Sequence, residues 1–217
     1  DAFRKALECD PVSAFGGIIG ITRCVDMDTA KAITETFFEI VAAPLYEEGV
    51  IEFFSEKKPN LRVLTITPGY SPKLQTTGNR CGFLVQEDML PRLPEMKEGK
   101  WAGKERPDLW DDLIFAWKTA AITKSNAIVL VKDGAAVGIG GGFTNRVDAA
   151  EYALKLACEK AKGAVLASDA FFPFPDTIEL AAREGVAAVI QPGGSIKDDD
   201  VFKRAEELGI SMFVGGS

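Results

Sequence analysis

The chain has 217 residues, a formal charge of −7 and no histidine, with 47% hydrophobic and 26% charged residues. That composition suits one large or two small globular domains, and scattered basic residues exclude nucleic acid as the main partner, because phosphate neutralisation needs a basic face. No apolar run approaches the ~20 residues that span a bilayer, so no membrane is implied. The cysteines Cys9, Cys24, Cys81 and Cys158 show neither zinc spacing nor a disulfide framework. Cytoplasm is the default expectation. The absence of histidine removes the side chain best suited to proton transfer near neutral pH. Opening on Asp1 rather than methionine, the sequence reads as starting inside a longer coding sequence.

In chain order, residues 1–8 read as the end of a helix. Asp10 to Gly17 form a turn into the apolar run 18–21, a buried strand. Asp26 or Asp28 can cap a helix over 27–41 with Ala30, Ile33, Phe37 and Ile40 on one face. Pro44 ends it. A further helix is predicted over 46–56 and a β-branched strand over 61–67. Residues 67–80 read as a loop, 81–86 as a strand, and 89–107 as a Pro/Gly-containing excursion or linker. The subdomain boundary falls near residue 105, dividing 1–105 from 106–217.

The second half alternates more regularly: a helix over 108–123, a strand over 126–131, an Asp133-Gly134 hairpin signal, and a strand over 135–139. Asn145 with Asp148 caps a helix reaching about Lys162. Strand 164–167, helix 177–184, strand 187–190, a helix capped by Ser195 with Asp198, and strand 210–214 complete the chain. The alternation predicts an α/β protein with a largely parallel sheet plus one hairpin.

Four stretches invite a functional reading. Ser168 to Asp176 crowds three phenylalanines, two prolines and two aspartates into nine residues. Proline restricts its neighbours, so Phe172 and Phe174 should be extended. One reading is a rigid core-plugging turn whose Asp176 caps the next helix with Glu179. The other is a stiff aromatic wall beside a carboxylate, suited to a flat ring carrying amines. Both can hold together. Lys124-Ser125-Asn126 offers an amide that could meet a carboxamide or formyl oxygen, or simply end a helix. Gly138 to Gly142 fails as a dinucleotide fingerprint, because the third glycine position is Phe143. It reads better as a backbone passing close to something, with Arg146 beside it. Gln191 to Ile196 presents backbone amides at a helix N-terminus, an anion or polar-ring contact.

Together, Asp10 to Gly17, Lys124 to Ala127, Gly138 to Arg146, Ser168 to Phe174 and Gln191 to Ser195 resemble the formyltransferase part of the AICAR transformylase/IMP cyclohydrolase family. The resemblance runs over nearly the whole chain. It implies two cytidine-deaminase-like three-layer α/β subdomains without zinc, the first truncated at its N-terminus, and a homodimer with a shared active site. It implies formyl transfer from 10-formyltetrahydrofolate to the 5-amino group of AICAR in purine biosynthesis. On the substrate side it places Gly16, Glu39, Asn126 and Arg146, with Asn126 catalytic. On the folate side it places Val147, Phe171, Pro173, Phe174, Asp176, Ser195 and Ile196. A monovalent cation such as K+ is implied near Thr123, Ser125 and Asp169. The family's Lys-His pair falls before Asp1, and a further arginine and histidine fall after Ser217. The chain as given is therefore expected to be inactive alone, with apolar surface exposed around residues 18–21. The alternatives are a noncatalytic nucleotide- or folate-binding homologue and a nicotinamide-binding oxidoreductase, the latter resting only on the glycine run.

Overall fold

A computed structural model describes residues 1–67, 74–87, 94–95 and 99–215. The chain divides into two compact units, Asp1–Leu7 with Pro11–Arg92, and Glu8–Asp10 with Leu93–Ser217. The boundary expected near residue 105 lies within the second unit. Both units mix helices and strands, and the protein is of the α/β class.

The first unit contains α1 (Ala2–Cys9, whose last two residues group with the second unit), β1 (Gly17–Gly20), β2 (Cys24–Val25), α2 (Met27–Thr34), β3 (Phe38–Ala43), β4 (Leu45–Tyr46), α3 (Val50–Lys57), β5 (Arg62–Thr65), β6 (Leu74–Asn79) and β7 (Gly82–Glu87). Strands β1, β3 and β5 form a parallel sheet with β3 at its centre. Val25, Ala30, Ile33, Phe38, Val41, Val50 and Phe54 make the core.

The helix predicted over 27–41 stops at Thr34. Asp26 caps its start, accepting the Thr29 amide at 2.7 Å. Beyond it, Phe38 to Ala43 forms the central strand, because hydrogen bonding to neighbours on both sides outweighs a weak local helical pattern. The predicted 46–56 helix starts later, at Val50. Residues 18–21 are less buried than the apolar run suggests and agree with the exposure expected there, since β1 is an edge strand and Ile18 is 69% exposed. Part of the predicted 67–80 loop, residues 68–73, lies outside the described residues. The remainder is β6, which pairs antiparallel with β7 in an exposed ribbon.

The second unit contains β8 (Lys100–Ala102), α4 (Trp110–Ile122), β9 (Ile128–Lys132), β10 (Ala135–Gly140), α5 (Arg146–Ala157), β11 (Val165–Ser168), α6 (Asp176–Arg183), β12 (Ala188–Pro192), α7 (Asp198–Glu207) and β13 (Ser211–Gly215). Its six-stranded sheet has the order β10-β9-β11-β12-β13-β8. Side chains alternate across it, as period-two strands require. Val129, Val131, Val165, Ala167, Ala188, Ile190 and Phe213 face α4 through Leu113, Ala116 and Ala120. Ile128, Leu130, Leu166, Val189 and Met212 face the other way, toward α5, α6 and α7. Helices thus cover both faces, and the strands read as continuous apolar runs for that reason.

The sheet is mixed rather than largely parallel. Strands β11, β12 and β13 run parallel, while β9 is antiparallel to both β10 and β11, and β8 is antiparallel to β13. Strand β8 falls in the segment read as an excursion, of which residues 89–93 and 96–98 lie outside the described residues. It is legible only through its partner: Trp101 pairs with Phe213, with ring centroids 5.2 Å apart. The Asp133-Gly134 turn forms as predicted, with φ of 53° and 71°. Asp112 on α4 secures it by accepting both turn amides, at 2.9 and 2.8 Å.

Candidate functional site

The antiparallel direction of β9 decides where the singled-out residues lie. In register, Ile128 at the start of β9 is opposite Gly140 at the end of β10 and Ser168 at the end of β11. The ends of β10, β11 and β12 and the beginning of β9 therefore share one end of the sheet. Crevices outside strand carboxyl ends are where open α/β sheets hold ligands. Asn126, Arg146 and the Ser168–Asp176 stretch all emerge there.

Asp169 joins these three regions. Its Oδ1 accepts from the Arg146 guanidinium at 2.7 Å and from the Ala127 amide at 3.1 Å, and its own amide donates to the Ala127 carbonyl at 3.3 Å. The two charged side chains are 12% and 13% exposed. Burial holds the Arg146 guanidinium below its ordinary range, and the facing Asp169 carboxylate opposes that shift. A cation in the first turn of α5 conflicts with the helix dipole; Asp169 offsets the conflict. Asn126 donates through Nδ2 to the Phe143 carbonyl at 3.0 Å, and its backbone amide reaches the same oxygen at 3.2 Å. Its Oδ1 has no partner among the described residues. The Ser125–Asn126 peptide is cis.

The glycine run has a packing role. A Cβ on Gly138 or Gly140 would run into the carbonyl oxygens of Ala153 or Ala149, so α5 lies directly on the backbone of β10. That close approach carries Arg146, the first residue of α5, to the sheet end, with Val147 partly buried beside it. Asn145 caps the helix as predicted, accepting the Asp148 amide at 2.8 Å.

In the aromatic stretch, burial divides the phenylalanines. Phe172 is fully buried and plugs the core, while Phe171 and Phe174 are 40% and 52% exposed and Pro173 is exposed between them. The capping box expected from Asp176 and Glu179 does not form. Asp176 is the first residue of α6, its carboxylate accepts the adjacent Thr177 amide at 2.7 Å, and Glu179 pairs with Arg204 at 2.8 Å.

The 191–196 segment is also rearranged from expectation. Helix α7 begins at Asp198, not after Ser195, and the Asp198 Oδ2 accepts the amides of Gly194 and Ser195 at 2.9 and 3.1 Å. Those amides are occupied by a protein carboxylate rather than open to an anion. Ser195 Oγ accepts the Lys197 amide at 3.1 Å, and Ile196 is fully exposed. Lys197 places its ammonium 4.2 Å from the Phe174 ring centroid, a cation–π contact. Gln191 and Asp198 were not assigned positions in the site from sequence. The available signal was a lone amide ending the apolar run Val189-Ile190.

Gly16 and Glu39 belong to the first unit. Gly16 has φ of 74°, a conformation suited to glycine, and its amide donates to the Phe37 carbonyl at 2.9 Å. Glu39 pairs with Arg62 at 2.6 Å. Thr123 directs its hydroxyl to the Thr119 carbonyl at 2.7 Å, and Asp169 faces a guanidinium. Among the described residues no three His, Cys, Asp or Glu side chains gather as a metal would require.

A family model described as "AICARFT/IMPCHase bienzyme" matches residues 1–156. The "Bifunctional purine biosynthesis protein PurH" of Thermoanaerobacter sp. (strain X514) is 48% identical over 218 residues, covering 100% of this chain and 42% of that protein. The protein of the same name from Bacillus cereus (strain B4264) is 46% identical over 219 residues, again covering 100% of this chain and 43% of its own length. The chain therefore spans less than half the length of these relatives. A solved chain titled "Acinetobacter baumannii RibD, form 2" overlaps 50% of this chain and 36% of its own at 20% identity and a TM-score of 0.36, too slight a likeness to bear on fold or function.

Proposed function

The chain belongs to the AICARFT/IMPCHase bienzyme family, and from that premise we propose that it forms the formyltransferase portion of a purine-biosynthesis enzyme. The reaction moves a formyl group from 10-formyltetrahydrofolate to the 5-amino group of AICAR. In this reading the two units are zinc-free, cytidine-deaminase-like subdomains, and a homodimer completes the site. The observation that carries the proposal is the division of labour in the aromatic stretch: Phe172 is buried as an anchor while Phe171, Pro173 and Phe174 are held outward. Ordered, exposed aromatic surface fits a flat ligand ring better than it fits solvent.

The chemistry follows from the groups available. The AICAR amine is a weak nucleophile, since ring and carboxamide delocalise its lone pair. Catalysis needs orientation, proton removal and stabilisation of a tetrahedral oxyanion. Asn126 Oδ1 would accept from the carboxamide or the attacking amine and so fix the amine's direction of approach. Arg146, with one nitrogen committed to Asp169, would present its remaining donors to the nucleotide. Phe171, Pro173 and Phe174 would hold the pteridine, Asp176 would accept from its amino and imino groups, and Val147, Ser195 and Ile196 would border it. The family resemblance also assigns Gly16 and Glu39 to nucleotide binding.

Calorimetric titration with a reduced folate and with AICAR, followed by a formyl-transfer assay, tests this. Phe174→Ala should weaken folate about tenfold, the loss of one aromatic stacking contact, and leave AICAR unchanged. Equal weakening of both ligands, or binding of neither, would refute it. Folate binding without formyl transfer is expected of this chain alone under either reading; a Lys-His pair encoded upstream of Asp1 would select the enzyme, and its absence the noncatalytic homologue.

A further inference from the structure

We propose that Gln191 is a positioning residue that sets the spacing between the aromatic stretch and the 193–196 loop, and thereby the width of the slot for a reduced pteridine. The inference rests on the folate reading above. Gln191 lies in β12 between two helical layers and is completely buried. Its Oε1 accepts the amide of the buried Phe172 at 2.7 Å. Its Nε2 points to the Asp198 Oδ1 at 3.5 Å, and the other carboxylate oxygen of Asp198 holds the amides of Gly194 and Ser195.

A neutral amide satisfies both ends of this chain, whereas an ionised carboxylate satisfies only the Phe172 end. The Phe172 amide requires an acceptor and the Asp198 carboxylate requires a donor, so the orientation of the Gln191 side chain is forced. A buried donor left without an acceptor is strongly disfavoured, and Phe172 cannot shift without opening the core. Gln191 therefore ties the backbone of one wall, which carries Phe171 and Phe174, to the loop of the other, which carries Ser195 and Ile196. Its own chain position is held by pairing with β13.

Two variants separate the links. Gln191→Met keeps the volume and removes both hydrogen bonds. Gln191→Glu, studied at a pH high enough to ionise the introduced carboxyl, keeps the acceptor for Phe172 and sets a second carboxylate against Asp198. In the ligand-free protein, Gln191→Met should speed amide exchange at Phe172, Gly194 and Ser195 by about tenfold or more, as expected when a buried hydrogen bond is lost. Gln191→Glu should do so at Gly194 and Ser195 alone. Affinity for 5-formyltetrahydrofolate should fall about tenfold in Gln191→Met, while AICAR affinity changes far less. Unaltered exchange at these amides overturns the proposal, as does parallel loss of both ligands. Failure of the unsubstituted protein to bind 5-formyltetrahydrofolate refutes the pteridine site itself, and the positioning role with it; the exchange pattern in the ligand-free protein tells that failure apart from a missing link. Should Gln191→Met not fold, the split pattern of Gln191→Glu decides the matter.

Discussion

Replacing Asp169 is the most informative perturbation, because one carboxylate serves Arg146, Ala127 and the aromatic stretch at once. Asp169→Ala removes the charge facing a guanidinium only 12% exposed and strips the Ala127 amide of its acceptor. Breaking a buried pair by deleting one partner costs about 3–5 kcal/mol, because the remaining ion stays buried without compensation. Slight exposure lowers that to about 3 kcal/mol, and the unsatisfied Ala127 amide adds roughly 1 kcal/mol. The expected loss is about 4 kcal/mol, a large share of a typical domain's 5–15 kcal/mol. Asp169→Asn retains an acceptor for Ala127 and should lose about 2–3 kcal/mol. In the double variant Arg146→Met/Asp169→Asn no buried charge remains, so the loss should be smaller than the sum of the single losses by at least ~1.5 kcal/mol.

The assay is urea unfolding followed by tryptophan fluorescence. All three tryptophans, Trp101, Trp110 and Trp117, lie in the second unit, so the signal reports on that unit. The slope against urea must stay constant for the midpoints to be compared. A loss below about 1 kcal/mol in Asp169→Ala, or strict additivity in the double variant, would refute the claim that this pair is buried and coupled.

Three further outcomes follow from the fold. Gly140→Ala should destabilise the second unit by about 3 kcal/mol, because its methyl group meets the Ala149 backbone rather than a movable side-chain end; the same fluorescence transition measures it. Tyr46→Phe should weaken the first unit by about 1 kcal/mol, since the hydroxyl lies 2.9 Å from the Leu64 carbonyl and 3.1 Å from that of Val41, and exchange at residues 38–43 reads the change. Burial raises the Tyr46 pKa above its usual 10.0, so the wild-type contribution is present below pH 10 and is lost as pH climbs through the higher folded value; the Phe variant lacks this alkaline component. Asp26 behaves oppositely: the Thr29 amide holds its carboxyl below the usual 3.8. Its stabilisation is therefore present above that value and fades as pH falls through the lower folded one, and a carboxyl carbon NMR titration with a midpoint at or above 3.8 would contradict the cap.

Core elements with both faces covered were legible because burial leaves an uninterrupted apolar run, as in Val129 to Val131 or Val189 to Ile190. Errors arose where the deciding partner is remote in sequence. Ile33, Phe37 and Ile40 have helical spacing, yet Ile40 belongs to a strand whose neighbours are contributed by residues 17–20 and 62–65. Strand β8 exists because Phe213 offers Trp101 a surface more than a hundred residues away. Gln191 was unreadable for the same reason: its two partners, Phe172 and Asp198, come from separate loops. Asp198 itself was read as a helix residue supporting Ser195, whereas its carboxylate folds back over the amides that were expected to be open.

The location of the site, by contrast, was within reach of one short signal. Asp133-Gly134 makes β9 and β10 antiparallel, so the beginning of β9 must lie beside the end of β10. A helix then carries the chain from β10 to β11, and such crossovers join strands that run the same way. It follows that β11 ends where β10 ends, which is where β9 starts. Asn126, at the opening of β9, is thereby brought to the same rim as Arg146 and Ser168. A position at the start of a strand is what antiparallel pairing requires of a residue at that rim. Asp169 then occupies the point where the three approach, and its pairing with Arg146 and Ala127 is the physical consequence of that geometry.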